Sequence, residues 1–146
     1  MTKSTLIKNV NIVNEGKVLK GDIRIKQEKI SLIAPFIPIS QDEHLVEGNN
    51  KYLIPGLIDD QVHFREPGLT HKGDIYSESR AAVAGGITSF IEMPNTKPQT
   101  TTMKNIEQKL EIASRNSVAN YGFMFGGTNS NLDEIKKIDE NKVAGL

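Results

Sequence analysis

The hydrophobic and polar positions divide the chain into two parts with different periodicities. Up to about residue 52, apolar residues alternate with polar ones, as in Asp-Ile-Arg-Ile-Lys at 22–26, which is typical of strands with one buried face. Turn-forming residues at 14–16 and 47–50 separate these strands, and the polar segment 41–44 reads as a loop. We therefore predict a small, half-buried antiparallel β-domain over residues 1–52.

From residue 53, strand-like apolar runs alternate with segments of helical spacing. Apolar residues recur every three or four positions after the threonine N-caps at 100–102, which predicts a helix, and similar helices are predicted over 73–84 and from 130 or 131 through Ile138. The order β-α-β-α-β-α-β is typical of a parallel sheet with crossover helices. The strand-like runs cover residues 53–58, 87–93, 121–125 and 143–146.

This pattern is compatible with two α/β architectures. A (β/α)₈ TIM-type barrel needs eight such units in about 250 residues, so residues 53–146 would supply the first three βα units and the start of the fourth strand. An open doubly wound sheet of four strands also fits this length. The strand pattern that runs to Leu146 favours the incomplete barrel. By itself such a piece would expose strand edges and apolar helix faces, so we expect it to be poorly stable.

Composition narrows the classes of function. Lys plus Arg and Asp plus Glu number 18 each, so no basic excess attracts nucleic acid. No apolar run approaches the roughly 20 residues of a membrane span, and residues 1–8 do not resemble a signal peptide, so we expect a cytoplasmic protein. The chain has no cysteine. Any metal must therefore be held by oxygen or nitrogen, and the histidines available are His44, His63 and His71.

The segment that follows the first strand of the second part carries candidate chemistry. Alternate residues of a strand share a side, so Gln61, His63 and Arg65 are predicted to face the same way at its C-terminal end, where barrel enzymes place their active sites. A neutral His63 can bind a metal, and the Arg65 guanidinium can pair with a substrate carboxylate. Taken alone, these two residues fit an ordinary surface or packed pair more often than a metal site.

Other polar positions are less specific. Asn95 follows the second strand, where it can bind a substrate carboxylate or ring amide, or simply form a turn beside Pro94. Gly126-Gly127-Thr128 lacks the Gly-Lys-Ser/Thr of a phosphate-binding loop, so we exclude that role. His44, in the predicted loop of the β-domain, and His71, predicted to be exposed to solvent, are given no metal role.

Four motifs together resemble the dihydroorotase family (class I-like) of cyclic amidohydrolases in their order and spacing. The resemblance extends over essentially all 146 residues. The second and fourth motifs in combination are the most specific, because the related hydantoinases and allantoinases usually differ there. The motifs are Pro55-Gly56-Leu57-Ile58-Asp59, Arg65-Glu66-Pro67-Gly68, Ala84-Gly85-Gly86-Ile87-Thr88-Ser89 and Met93-Pro94-Asn95-Thr96.

The resemblance implies a zinc enzyme with one or two metal ions. Such an enzyme catalyses the reversible cyclisation of N-carbamoyl-L-aspartate to dihydroorotate in de novo pyrimidine biosynthesis. Carried over position by position, His63 would be a metal ligand, and Arg65 and Asn95 would bind the substrate carboxylate. The other ligands and the proton-shuttling carboxylate would lie beyond Leu146, so these residues alone would be inactive. The oligomeric state stays open, and a homodimer is compatible with the resemblance.

One position departs from the family pattern. The family has His-x-His where this chain has Gln61-Val62-His63, and an amide oxygen is a weaker zinc donor than imidazole. Three hypotheses follow: an active dihydroorotase with an altered metal set, a non-catalytic dihydroorotase-like scaffold protein, and a hydantoinase- or allantoinase-like hydrolase of another cyclic amide. The retained Arg65 and Asn95 favour the first.

Overall fold

The structure is a computed structural model that describes residues 4–146. These residues form two units, one up to Pro55 and one from Gly56, which are described separately. The elements, numbered in chain order, are β1 (Thr5–Asn14), β2 (Lys17–Lys26), β3 (Lys29–Ala34), β4 (His44–Glu47), β5 (Tyr52–Leu53), β6 (Leu57–Val62), α1 (Ile75–Ala84), β7 (Ile87–Glu92), α2 (Met103–Asn116), β8 (Asn120–Phe123) and α3 (Leu132–Ile135).

The first unit is a five-stranded sheet built around a tight hairpin. Glu15 and Gly16, with φ of 48° and 72°, join β1 to β2 in the left-handed conformations that two-residue hairpin turns require. Strand β3 adds antiparallel to β2, as predicted, whereas β4 and β5 pair parallel with β1, so the sheet is mixed. The predicted loop position of His44 was wrong. His44 begins β4 and pairs with Thr5, which satisfies backbone groups on that side of β1.

The alternation along β1 correctly predicted its buried face. Leu6, Val10 and Ile12 are all buried, and Ile23 of β2 packs with the last two. The half-buried prediction fails for β3, an edge strand of the sheet, where Ile30 is 63% exposed.

A buried carboxylate joins three segments of the first unit. Asp22 accepts the backbone N–H groups of Asn9 and Ile37, each at 2.9 Å. Burial by itself would raise the pKa of Asp22, but these two donors and Lys8 together bring it below its ordinary value. Asp22 thus helps to hold the segment after β3 against the sheet.

The second unit has the predicted alternation of strands and helices. Its strands lie in the order β6-β7-β8 and pair in parallel, with Met124 bridging to Gly145 beyond them. Helix α1 begins after the N-cap Asp74, and α2 after Thr102, both in the predicted places. Helix α3 ends at Ile135, short of the predicted Ile138. The core of this unit is formed by the residues Phe64, Ile75, Phe90, Ile106, Ala113, Phe123 and Phe125.

The sequence predicted a buried strand over residues 53–58, but residues in this range are exposed. Ile54 lies outside any strand and is 54% exposed, and Ile58 is 68% exposed. The physical reason is that β6 is at the edge of its sheet and pairs with β7 alone among the described strands. In the described range, no helix combines the length and the apolar character needed to cross a membrane.

Candidate active site

The loops after β6 and β7 start side by side because the two strands end in register. Val62 is paired with Glu92, and the backbone N–H of Met93 donates to Val62 O at 3.0 Å. The residues that follow each strand therefore emerge at the C-terminal edge of the same parallel sheet. This is the edge at which α/β enzymes bind their substrates.

The structure brings two of the predicted site residues into direct contact. His63 Nδ1 and Asn95 Oδ1 are 2.9 Å apart, and both side chains are exposed. An amide oxygen can only accept, so in this arrangement Nδ1 carries the proton and donates it. Nε2 of the neutral ring then keeps its lone pair. With Nδ1 engaged by Asn95, Nε2 is the ring nitrogen left for a metal.

Arg65 lies where the chain turns away from the sheet. The predicted alternation holds through Phe64, which is buried with its ring 4.4 Å from that of Phe90, while Gln61 and His63 are exposed. Arg65 then adopts a left-handed conformation with φ of 72°. Within residues 4–146, the side chain of Gln61 makes no hydrogen bond with His63, and the backbone N–H of Gln61 donates to Asp59.

The Arg65–Gly68 motif has a structural explanation. Glu66 accepts the N–H of Ile75 at 2.9 Å, at the start of α1, and Pro67 O accepts the N–H of Lys97 at 3.1 Å. Gly68, at φ of 82°, lies so close to Lys97 that an added Cβ would overlap the carbonyl oxygen of that residue. These contacts hold the loop after β6 against the loop after β7.

A buried ion pair that the sequence did not predict lies beneath this edge. Glu92 Oε2 and Lys109 Nζ are 2.5 Å apart, and each side chain is 1% exposed. Burial raises the pKa of Glu92 and lowers that of Lys109, while each charge opposes the shift of the other. The sequence did carry a signal for the burial of Lys109. This residue follows Ile106 by three positions and precedes Ala113 by four, which places it on the buried face of α2.

A shallow depression opens beside Asn95. Its volume is about 150 Å³, and it is bounded by the loop after β7 and by residues 126–128. Asn131 joins two of its lining residues, since its Nδ2 donates to Gly126 O and to Thr101 O. The depression offers space for a small polar group near the His63–Asn95 pair.

The described residues fit part of a zinc site. No group of three or more His, Cys, Asp or Glu side chains among residues 4–146 could hold a metal ion. The unprotonated Nε2 of His63 fits one ligand position, and the Gln61 amide is a weak oxygen donor. Zinc takes three or four such ligands, so a complete site would need donors from elsewhere in the protein.

The chain matches a known protein family over more than half of its length. The model of the amidohydrolase family matches residues 52–144. The chain belongs to the amidohydrolase family. Metal dependence is general in this family, and zinc is its typical metal.

Several amidohydrolases of different specificity are similar to this chain. A dihydroorotase of Methanosarcina mazei is 37% identical over 132 residues, which is 90% of this chain and 29% of that protein. An allantoinase of Desulfitobacterium hafniense is 37% identical over 142 residues, or 97% of this chain and 31% of the relative. The chain thus spans under a third of these relatives.

A solved amidohydrolase structure shows the same fold. The L-hydantoinase (dihydropyrimidinase) from Arthrobacter aurescens has a TM-score of 0.91 and 29% identity, and the match covers 99% of this chain and 32% of that one. The chain therefore has the α/β fold class predicted from sequence, a small β-domain followed by part of a (β/α)₈ barrel. It is related to hydrolases of cyclic amides.

Proposed function

We propose that the whole protein is a metal-dependent dihydroorotase, which interconverts N-carbamoyl-L-aspartate and dihydroorotate in pyrimidine biosynthesis. The observation that carries the proposal is the arrangement at the C-terminal edge of the sheet. His63 is hydrogen-bonded to Asn95, and Arg65 follows His63 by two residues. A metal-binding imidazole with an arginine two residues further along the same loop suits a cyclic amide that carries a carboxylate.

In this proposal, each residue has a separate task. Arg65 pairs with the substrate carboxylate through two parallel hydrogen bonds. Asn95 accepts from His63 through Oδ1, and its Nδ2 remains to donate to the same carboxylate or to the ring carbonyl. His63 offers Nε2 to zinc, with Gln61 as a second, weaker donor. Bound zinc would activate water and polarise the ring amide carbonyl.

The proposal also covers the partners of the protein, its compartment and its domains. The partners are small molecules, and nothing in the charge balance of 18 basic and 18 acidic residues favours nucleic acid. We place the reaction in the cytoplasm. The β-domain over 1–52 and the barrel part over 53–146, with three βα units and the start of the fourth strand, are our proposed domains.

A second candidate is an allantoinase- or hydantoinase-like activity, which the similarity to the Desulfitobacterium hafniense and Arthrobacter aurescens proteins favours. The charge of the substrate distinguishes the two candidate activities. Hydantoin has no carboxylate, so its binding does not need Arg65, whereas dihydroorotate would lose its counter-ion if Arg65 were replaced.

The test uses the natural gene product that contains this chain. Its metal content is measured by elemental analysis, together with turnover of dihydroorotate, hydantoin and allantoin. We expect bound zinc and turnover of dihydroorotate. Arg65→Met should weaken dihydroorotate binding by about 2–5 kcal/mol, and Arg80→Met, an exposed position on α1, should not.

Two results would contradict the proposal. Preferred turnover of hydantoin or allantoin, unaffected by Arg65→Met, would support the second candidate. A metal-free protein with no turnover of any of the three amides would support a non-catalytic scaffold protein, for which Gln61 in place of the family histidine is the observation in favour.

A further inference from the structure

The Glu92–Lys109 pair lies directly beneath the loop that carries Arg65. Glu92 is the last residue of β7, and Lys109 reaches it from α2. The ammonium of Lys109 also donates to Met93 O at 3.2 Å and lies 4.8 Å from the centre of the Phe123 ring. Lys109 therefore contacts a carboxylate, a carbonyl oxygen and an aromatic ring, and it holds one oxygen of the Glu92 carboxylate in a fixed place.

The other carboxylate oxygen reaches across to the neighbouring loop. Glu92 Oε1 accepts the backbone N–H of Arg65 at 3.1 Å. Arg65 has a φ of 72°, which few residues with a side chain adopt and which persists only where the surroundings impose it. A buried carboxylate in a fixed position is the kind of surrounding that can impose it, because its bond to the N–H is charge-assisted and shielded from water.

We propose that Glu92 is a positioning residue for Arg65: as the buried acceptor of the Arg65 N–H, it keeps the left-handed backbone of Arg65 in place and so aims the guanidinium. The inference rests on the proposed function in one respect, namely that Arg65 binds the substrate carboxylate. It assigns to the acceptor oxygen of Glu92 a role in substrate binding, in addition to what the ion pair does for folding.

Two double variants of the natural gene product separate positioning from folding. In the acceptor-retaining variant, Glu92→Gln with Lys109→Met, the amide oxygen can still accept from the Arg65 N–H. In the acceptor-free variant, Glu92→Met with Lys109→Met, no acceptor remains. Both variants eliminate the ion pair and have side chains of similar size, so any difference between them reports the acceptor at position 92. Circular dichroism checks that both fold, and Glu92→Ala with Lys109→Met replaces the acceptor-free variant if it does not.

The first readout is the kinetics with dihydroorotate. We expect the acceptor-retaining variant to keep KM within about twofold, and the acceptor-free variant to raise KM on the order of tenfold with a smaller change in kcat. In an Arg65→Met background the difference between the two should vanish, since Glu92 acts through Arg65. Equal KM values in the two double variants, or a difference that persists without Arg65, would overturn the inference.

The second readout is independent of activity. Hydrogen exchange of the Arg65 amide should remain slow in the acceptor-retaining variant and become fast in the acceptor-free variant. Equal protection in both would overturn the inference, as would a difference in protection with no difference in KM. If Arg65→Met alone leaves KM for dihydroorotate unchanged, the proposed function fails instead, and amide exchange still decides whether Glu92 holds Arg65.

Discussion

Asn95 holds His63 by a hydrogen bond of 2.9 Å between Oδ1 and Nδ1, so the residue predicted to bind substrate is also the one that orients the predicted metal ligand. The two roles are compatible because the amide group has an oxygen for His63 and a nitrogen for the substrate. With the two predicted roles, the contact would link metal binding to substrate binding through one side chain.

Replacement of Asn95 should therefore weaken metal binding. Asn95→Leu removes the acceptor for His63 Nδ1, and loss of such an orienting partner typically lowers metal affinity about 10- to 100-fold. Asn95→Asp keeps an acceptor and should retain affinity. Zinc affinity of the natural gene product, measured by competition with a chelator, checks this, and equal affinities in the two variants would speak against the orienting role.

Position 61 should limit the strength of metal binding. Gln61→His restores the imidazole that the family pattern has there, and imidazole is the better zinc donor. We expect higher zinc content per protein after dialysis against a weak chelator. Gln61→Leu serves as the control: zinc content equal to that of the unaltered protein would mean that Gln61 is not a ligand.

Replacement of Lys109 alone should lower the free energy of unfolding. Lys109→Met leaves the Glu92 carboxylate buried without its cation, which typically destabilises a protein by about 3–5 kcal/mol. Addition of Glu92→Gln should recover most of this loss. Urea denaturation measures both free energies of unfolding, and a double variant no more stable than the single one would contradict the explanation.

The same single variant should also show a pH dependence. Burial already raises the pKa of Glu92 above 4.5, and loss of Lys109 raises it further. A carboxyl group with a raised pKa in the folded state favours folding while it is protonated. The stability of Lys109→Met should therefore fall as pH rises above about 4.5, the ordinary value from which this pKa is raised, and it should not do so in the double variant with Glu92→Gln.

Gly68 should tolerate substitution much less than Gly16. Both have positive φ, 82° and 72°, but an added Cβ at Gly68 would overlap Lys97 O, whereas at Gly16 nothing lies within 4 Å. Gly16→Ala should cost about 1–2 kcal/mol, the left-handed penalty alone, and Gly68→Ala more. Thermal unfolding compares the two, and similar losses would mean that the loops after β6 and β7 are not in close contact at Gly68.

The sequence by itself determined the periodic features of this protein. Alternation in β1 identified the buried Leu6, Val10 and Ile12, and the spacing in α2 identified Ile106 and Ala113, because periodicity reflects which side of an element meets the core. The fold class followed from the order of elements and the resemblance of the motifs. The candidates His63, Arg65 and Asn95 came from residue type and position; their roles remain predictions.

The tertiary structure decided what depends on contacts between distant residues. The sequence placed His44 in a loop and left Lys109 unremarked. Pairing with β1 placed His44 in a strand, and the approach of β7 to α2 made Lys109 a buried partner of Glu92. The His63–Asn95 bond spans 32 positions, and the Arg65–Glu92 bond spans 27. No local pattern encodes such pairs, since they form only when parallel strands bring their C-terminal loops to one edge.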